Sequence, residues 1–420
     1  MTGSAAGDSD AALLQAARNA FLPETPARIG IAVSGGGDSM ALLHLMHRRA
    51  AEGGPPVAAV TVDHGLRPES VAEAAGVAAF CAVRGIPHQT LHWQGPSETG
   101  NLMDQARRAR LRLIAAWAQG AGGPGIGHVV LGHTADDQAE SFLMNLGRAA
   151  GIDGLSGMRP TWHEQGVHWA RPLLGHSRAA LRDYLRRHGL PWVDDPSNDN
   201  DRFTRIRARH ALHSLAAIGI TPASLGSSIA HLAAARAELV AAAAAAAQAH
   251  VTEQAGTLGL SAQTLAGFGP DLKRRLLIAM IRWMNGVAYP PREAQVATLL
   301  TALAAGRDAT LGGCRFRHRS GRITISREPR AVMGPVPADT LWDHRWQMAG
   351  PHQPGLEIRA LGADGLRLCP GWRDHAPRDA LIVSPSVWQG NHLIAAPLAG
   401  KPAGWQAKLG PTFGMFILSH

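Results

Sequence analysis

From Arg28 to about Leu174 the chain alternates short β-like runs with helical ones: RIGIAV then MALLHLMHRRA, VAAVTV then ESVAEAAGVAAFCAVRG, PHQTLHW then NLMDQARRARLRLIAAWA, GHVVLG then TADDQAESFLMNLGR. Neighbouring parallel strands need a long crossover, which a helix supplies. The alternation therefore implies a parallel sheet covered by helices on both faces. In such sheets ligands bind beyond the carboxyl ends of the strands, where loops lead into helices. The loops SGGGDS, TVDHGL and GHTADD all follow such strands.

The character changes after a helical stretch at Ser177 to His188 and an acidic-then-basic segment, GLPWVDDPSNDNDRFTRIRARHAL. Residues 1–215 are expected to form the α/β domain, 216–329 a mainly helical one, and 330–420 a small β-containing one rich in Pro, Gly and Trp. The long segment SSIAHLAAARAELVAAAAAAAQAH reads as an alanine-rich helix, since alanine is the strongest helix former and carries no chemistry. ATLGGCRFRHRSGRITISRE reads as a hairpin whose arginines alternate with apolar residues, as a solvated or RNA-facing strand would.

Lysine plus arginine, 41, exceeds aspartate plus glutamate, 32, giving a net charge of +9 and a field that attracts polyanions. Cys81, Cys314 and Cys369 are far apart and form no Cys-x-x-Cys, which argues against a zinc ribbon or iron-sulfur site. With no basic leader and no later run expected to approach the ~18 apolar residues that span a bilayer, the chain reads as soluble, cytoplasmic and free of membrane.

In IAVSGGGDSMALL, Gly35, Gly36 and Gly37 let backbone N–H groups converge on an anion, and the following helix adds its positive end. Ser34 and Ser39 supply hydroxyls. A Walker loop would carry lysine where Asp38 stands, and a carboxylate beside phosphates requires a bridging cation. In GHTADDQAES, His133, Asp136, Asp137 and Glu140 fall at i, i+3, i+4 and i+7 on one helical stripe. Thr134 and Asp137 also have capping-box spacing, and His133 with Asp137 has the donor types of a metal pair. Asp104 can pair with Arg107 or Arg108 on its helix. Arg205, Arg207 and Arg209 offer bidentate donors to phosphate or present a basic helix face. VDDPSNDND has calcium-loop composition without the glycine and final glutamate of an EF-hand, which favours a loop of the active site.

SGGGDS resembles the pyrophosphate-binding (PP) loop of the N-type ATP pyrophosphatases. That resemblance implies a Rossmann-like domain that grips the leaving pyrophosphate, with ATP and Mg2+ as cofactors and Asp38 acting through the metal. It also implies that Asp63, His64 and Arg67 of TVDHGLRPES lie near ATP. The ordered motifs from Ile29 to Leu215, above all GHTADDQAES and RPLLGHSRAALRDYLRRHGLPWVDDPSNDNDRFTRIRARHAL, closely resemble the tRNA(Ile)-lysidine synthetase family. Asp104 and Ile206 depart from it, standing where that family often has Glu and Asn. The resemblance implies ATP-dependent joining of L-lysine to C2 of the wobble cytidine of an isoleucine tRNA with a CAU anticodon, through an adenylated cytidine. It implies tRNA-binding roles for 216–329 and 330–420, and it admits a homodimer.

That chemistry needs a proton acceptor, because the lysine amine must attack as free base, which costs roughly 4 to 5 kcal/mol near neutral pH. Asp137 and Glu140 are the candidates, Asp136 supports them, His133 is placed to contact the transferring phosphate, and Arg205 is placed to hold phosphate or RNA. Rival readings are another PP-loop tRNA-modifying enzyme such as a thiolase, a small-molecule ligase of the same superfamily, and a non-catalytic RNA-binding protein. The lack of paired cysteines, the excess basic charge and the acidic stripe argue against them respectively.

Overall fold

The computed structural model describes residues 10–65, 69–95, 102–120, 126–193, 204–287 and 290–419. The chain divides into two compact units, residues 1–236 and 237–420.

In the first unit the elements run α1 (Asp10–Arg18), β1 (Ile29–Ala32), α2 (Gly37–Ala51), β2 (Val57–Asp63), α3 (Glu69–Val83), β3 (His88–His92), α4 (Leu102–Gln119), β4 (His128–Leu131), α5 (Ala135–Leu146), α6 (Ile152–Leu155), β5 (Thr161–Glu164), β6 (Val167–Ala170), α7 (Arg178–Arg187) and α8 (Thr204–Leu215). The sheet order is β3-β2-β1-β4-β6-β5, and every pairing is parallel except the β5–β6 hairpin. The alternation in the sequence thus becomes the doubly wound sheet it implies. The order reverses between β1 and β4, the topological switch point where such sheets bind ligands.

Side-chain parity sorts the core into two layers. Ile29, Ile31, Val57 and Ala59 pack with α1, α2, α3 and α7 residues on one face, while Ala58, Val60, Val129 and Leu131 pack with Ile114 and Trp117 of α4 on the other. Burial on both faces is why the central strands read as unbroken apolar runs. Gly30 faces α4, and a Cβ there would lie 2.8 Å from the Trp117 ring. Immediately after β4, a Cβ on Gly132 would sit 3.0 Å from the Asp38 carbonyl, so the ends of β4 and the start of α2 touch backbone to backbone.

Helix α9 (Pro222–His250) runs across the division between the units. By length and composition alone it is apolar enough to cross a membrane, with a mean hydropathy of 1.4 over its best window, of which 11% is buried. This corrects the expectation that no such run exists: alanine scores as apolar at every position while presenting only a methyl group.

In the second unit β7 (Thr252–Gln254), β8 (Thr257–Ser261), β9 (Ala309–Leu311), β10 (Cys314–Arg319) and β11 (Arg322–Arg327) form an antiparallel sheet in the order β7-β8-β11-β10-β9. Helices α10 (Ala262–Gly267), α11 (Pro270–Asn285) and α12 (Glu293–Ala304) lie between β8 and β9 in sequence. Leu276, Leu277, Met280 and Ile281 of α11 share a core with Phe316, Ile323 and Ile325. Smaller antiparallel sheets follow, from β12 (Val336–Pro337) to β17 (Gln406–Leu409), around buried Trp342, Trp346 and Trp405. The arginines that alternate along β10 are tied down: Arg315 and Arg317 reach Asp379 at 3.0 and 2.5 Å, and Arg319 reaches Asp308 at 2.7 Å.

Arg327 and Asp343 form a buried ion pair in this unit, joined at Nε–Oδ2 and Nη2–Oδ1, both 2.8 Å. Burial opposes the Arg327 charge, but Asp343 raises its pKa above the ordinary arginine value. Asp343→Ala should destabilise the unit by about 3–5 kcal/mol, because it strands a buried guanidinium. Hydrogen exchange should show β10 and β11 losing protection while β1 and β4 keep theirs; equal loss in both would contradict separate cores.

Candidate active site

The PP-loop is built by three glycines with different tasks. Gly35 adopts φ 87°, a left-handed conformation that a side chain disfavours, and turns the chain out of β1. Gly36 caps α2 through its backbone without a side chain, so the first N–H groups of the helix remain available to an anion. At Gly37 a Cβ would approach the Trp192 ring at 3.4 Å. The serines brace the loop: Ser39 Oγ donates to Gly36 O at 2.9 Å and accepts from Ser34 N at 3.1 Å, with the two hydroxyls 3.2 Å apart. Val193 N donates to Gly35 O at 3.0 Å, tying the segment before residue 194 to the loop.

Beside this loop lies a cluster of carboxylates held by arginines. Arg178, the first residue of α7, donates from Nε to Asp38 Oδ2 (3.2 Å), from Nη2 to Asp137 Oδ1 (3.1 Å) and from Nη1 to Glu140 Oε1 (3.2 Å). From α8, Arg205 reaches Glu140 Oε2 at 2.7 Å and Asp137 Oδ1 at 2.9 Å, and Arg209 reaches Glu140 Oε1 at 2.9 Å. Asp136 accepts from the Arg178 backbone N–H at 2.7 Å. Burial acts against the Arg178 charge, yet Asp38, Asp137, Glu140 and Asp136 together raise its pKa. Asp38 shows the converse: burial raises its pKa, Arg178 opposes, and Asp137 and Asp136 push it further up.

Asp137 caps its helix and also faces the arginines. Its Oδ2 accepts from Thr134 N at 2.8 Å, completing a capping box, while Oδ1 faces the two guanidinium groups. The His133–Asp137 metal pair is not formed, because His133 Nδ1 accepts from Arg171 Nε at 3.1 Å and Asp137 is engaged by arginines. Burial, then Arg171, Arg110, Arg205 and Arg107, push the His133 pKa down to about 2. The imidazole is therefore neutral at any working pH.

A cavity of about 790 Å³ opens between these groups at the switch point. Of the residues expected to form the site, Ser34, Gly36, Gly37, Asp38, Ser39, His64, His133, Asp137 and Arg205 line it. Burial and then Arg110 lower the His64 pKa against Asp63, and its ring meets Trp93 edge-on at 5.8 Å. Glu140, 1% exposed, stands behind the wall as the hub of three arginines, and Asp136 supports from the start of α5. Asp63 does not line the cavity: its Oδ1 accepts from Gly65 N (2.8 Å) and Ser70 Oγ (2.7 Å), shaping the loop that carries His64. Arg67 and the acidic loop from residue 194 lie outside the described residues. Ile206, buried, supplies an apolar patch of the lining. Arg207 turns to Thr204 at 3.3 Å, and Asp104 pairs with Arg108 at 2.6 Å on a partly exposed face.

Sequence reasoning missed Arg178, Arg171 and Arg110. Arg178 had a signal: a helix start favours anions, so a cation in the first turn of α7 with no acidic neighbour there implies carboxylates across from it.

Residues 10–216 match the PP-loop domain. A tRNA(Ile)-lysidine synthase from Ruegeria pomeroyi is 47% identical over 96% of this chain and 97% of its own length, and one from Hyphomonas neptunium is 40% identical over 78% and 89%. The solved U34-tRNA thiolase NcsA from Methanococcus maripaludis, with its [4Fe-4S] cluster, is 16% identical and overlaps 52% of this chain and 76% of its own at a TM-score of 0.44. With near-complete mutual coverage at that level of identity to the Ruegeria pomeroyi protein, the chain belongs to the tRNA(Ile)-lysidine synthase family.

Proposed function

We propose that this chain ligates L-lysine to C2 of the wobble cytidine of the CAU-anticodon isoleucine tRNA, in the cytoplasm, at the cost of ATP. The observation that carries the reading is that the PP-loop and the arginine-held carboxylates open into the same cavity. In the first step the cytidine O2 attacks the α-phosphate, the bond to the β-phosphate breaks, and pyrophosphate leaves. In the second the lysine ε-amine attacks C2 and the C2–O2 bond breaks, releasing O2 within AMP. The loop residues Ser34 to Ser39 hold the departing pyrophosphate, the backbone N–H groups at the start of α2 meeting its charge.

Asp38 suits Mg2+. Its Oδ1 is buried without a hydrogen-bond partner, and Mg2+ is commonly held by one or two carboxylates together with phosphate oxygens. The metal, when bound, offsets charge on the phosphates. Asp137 Oδ1, on the lining, holds the lysine ammonium and receives its proton, and Arg205 moves between that carboxylate and phosphate. Glu140 keeps three guanidinium groups in register. A thiolase reading finds no support in the cysteines: Cys81, Cys314 and Cys369 are buried and free, and burial raises the Cys81 and Cys314 thiols to about 11 and about 12, far from reactive thiolates.

The direct test is incubation with ATP, radiolabelled lysine and bulk tRNA. Lysine should become stably attached with release of AMP and pyrophosphate; labelling from a sulfur donor instead, or no ATP turnover, would overturn the reading. Asp137→Asn keeps an acceptor for Thr134 N and should leave the fold intact while slowing lysine transfer by about 10²–10³, the scale of one lost transition-state contact. If circular dichroism shows α5 unwinding, capping alone explains Asp137.

The pH profile follows from the shifts. Burial raises the Asp38 pKa in the metal-free site, so as pH falls Mg2+ binding should begin to weaken above the usual carboxylate value of about 4. Because His133 stays neutral, no limb of the rate should appear near pH 6.5. Mg2+ affinity that stays constant down to about pH 4 would overturn the assignment of Asp38 to the metal.

A further inference from the structure

Arg171 is a buried cation whose hydrogen-bond partners are neutral. It is 9% exposed, its Nη1 donates to the Arg159 carbonyl at 2.7 Å, and its guanidinium lies 3.9 Å from the centroid of the Trp162 ring. Its Nε meets His133 Nδ1 at 3.1 Å. Burial and the neighbouring Arg107 and Arg110 outweigh the favourable field of Glu164 and lower the Arg171 pKa to about 10, so the placement costs stability and is not explained by holding the fold together. A guanidinium has only donors, so Nδ1 must be the acceptor, and a neutral imidazole then carries its proton on Nε2.

We propose that Arg171 is a positioning residue that locks His133 as the Nε2–H tautomer, making the imidazole a permanent neutral donor to an anionic oxygen in the cavity and barring it from general-base work. The anchoring accounts for the stiffness of the arrangement: the carbonyl and the indole face fix the guanidinium, and the guanidinium fixes the ring. Among the described residues the largest charge effects on His133 act in one direction, from Arg171 following β6, Arg110 and Arg107 from α4, and Arg205 from α8. A preset donor needs no reorganisation as charge develops, the condition under which such contacts speed a reaction most. That the oxygen belongs to the α-phosphate rests on the proposed function; the tautomer does not.

The test uses full-length protein with ¹⁵N-labelled histidine rings. The His133 signals are those lost in His133→Gln. Between about pH 5 and 8 they should show a bare Nδ1, a protonated Nε2 and no titration. In Arg171→Met the two tautomers should interconvert, whereas Arg171→Lys, which retains a donor, should restore the single form. In the ligation assay His133→Ala should lose about 10²–10³ in rate, while His133→Gln, whose amide can accept from Arg171 and still donate, should stay within roughly tenfold of wild type. A protonated Nδ1, a ring that titrates in this range, or a glutamine variant as slow as the alanine variant would each overturn the proposal. If no variant or wild type ligates lysine, the ring signals alone still decide the tautomer.

Discussion

Carboxylates gathered in a protein interior repel one another, and the Asp38–Asp137–Glu140 cluster persists because one guanidinium, that of Arg178, reaches all three. Through it the first turn of α2, the first turn of α5 and the start of α7 become a single unit, and Arg205 and Arg209 add α8. Breaking one arm leaves buried charge uncompensated, which costs far more than the pair contributes as a pair. The site is thus held by a requirement of charge balance as much as by packing.

That balance depends on the backbone below it. The reversal of strand order between β1 and β4 opens the crevice, and Gly132 lets the end of β4 approach the start of α2 so closely that Asp38 and His133 face one space. The lining then carries carboxylates paired with arginines together with His133, near which Arg110 also lines the space.

Much of this was legible in the residues. Short apolar runs alternating with helical stretches pointed to the sheet, and the glycines with their serines pointed to the loop, because both are local rules. The stripe of His133, Asp136, Asp137 and Glu140 was legible as a stripe, but its inner division was not: burial puts Glu140 behind the wall and leaves Asp137 on it, and burial is a tertiary property. Asp63 was placed near ATP by resemblance alone, and the sequence did not show that its carboxylate accepts from Gly65 and Ser70, two and seven residues on. Arg171 was invisible, since its partners His133 and Trp162 are brought to it by the sheet.

The depth of the arginine–carboxylate cluster has a consequence for ionic strength. Mobile ions screen exposed charges over about 8 Å at physiological salt but penetrate buried pairs little. A polyanion approaching the basic exterior releases counterions and weakens steeply as salt rises, whereas Glu140, 1% exposed among its three arginines, experiences nearly the same field in dilute and concentrated buffer. Capture of nucleic acid and the chemistry that follows are thereby placed in separate electrostatic environments, one set by the medium and the other by the fold.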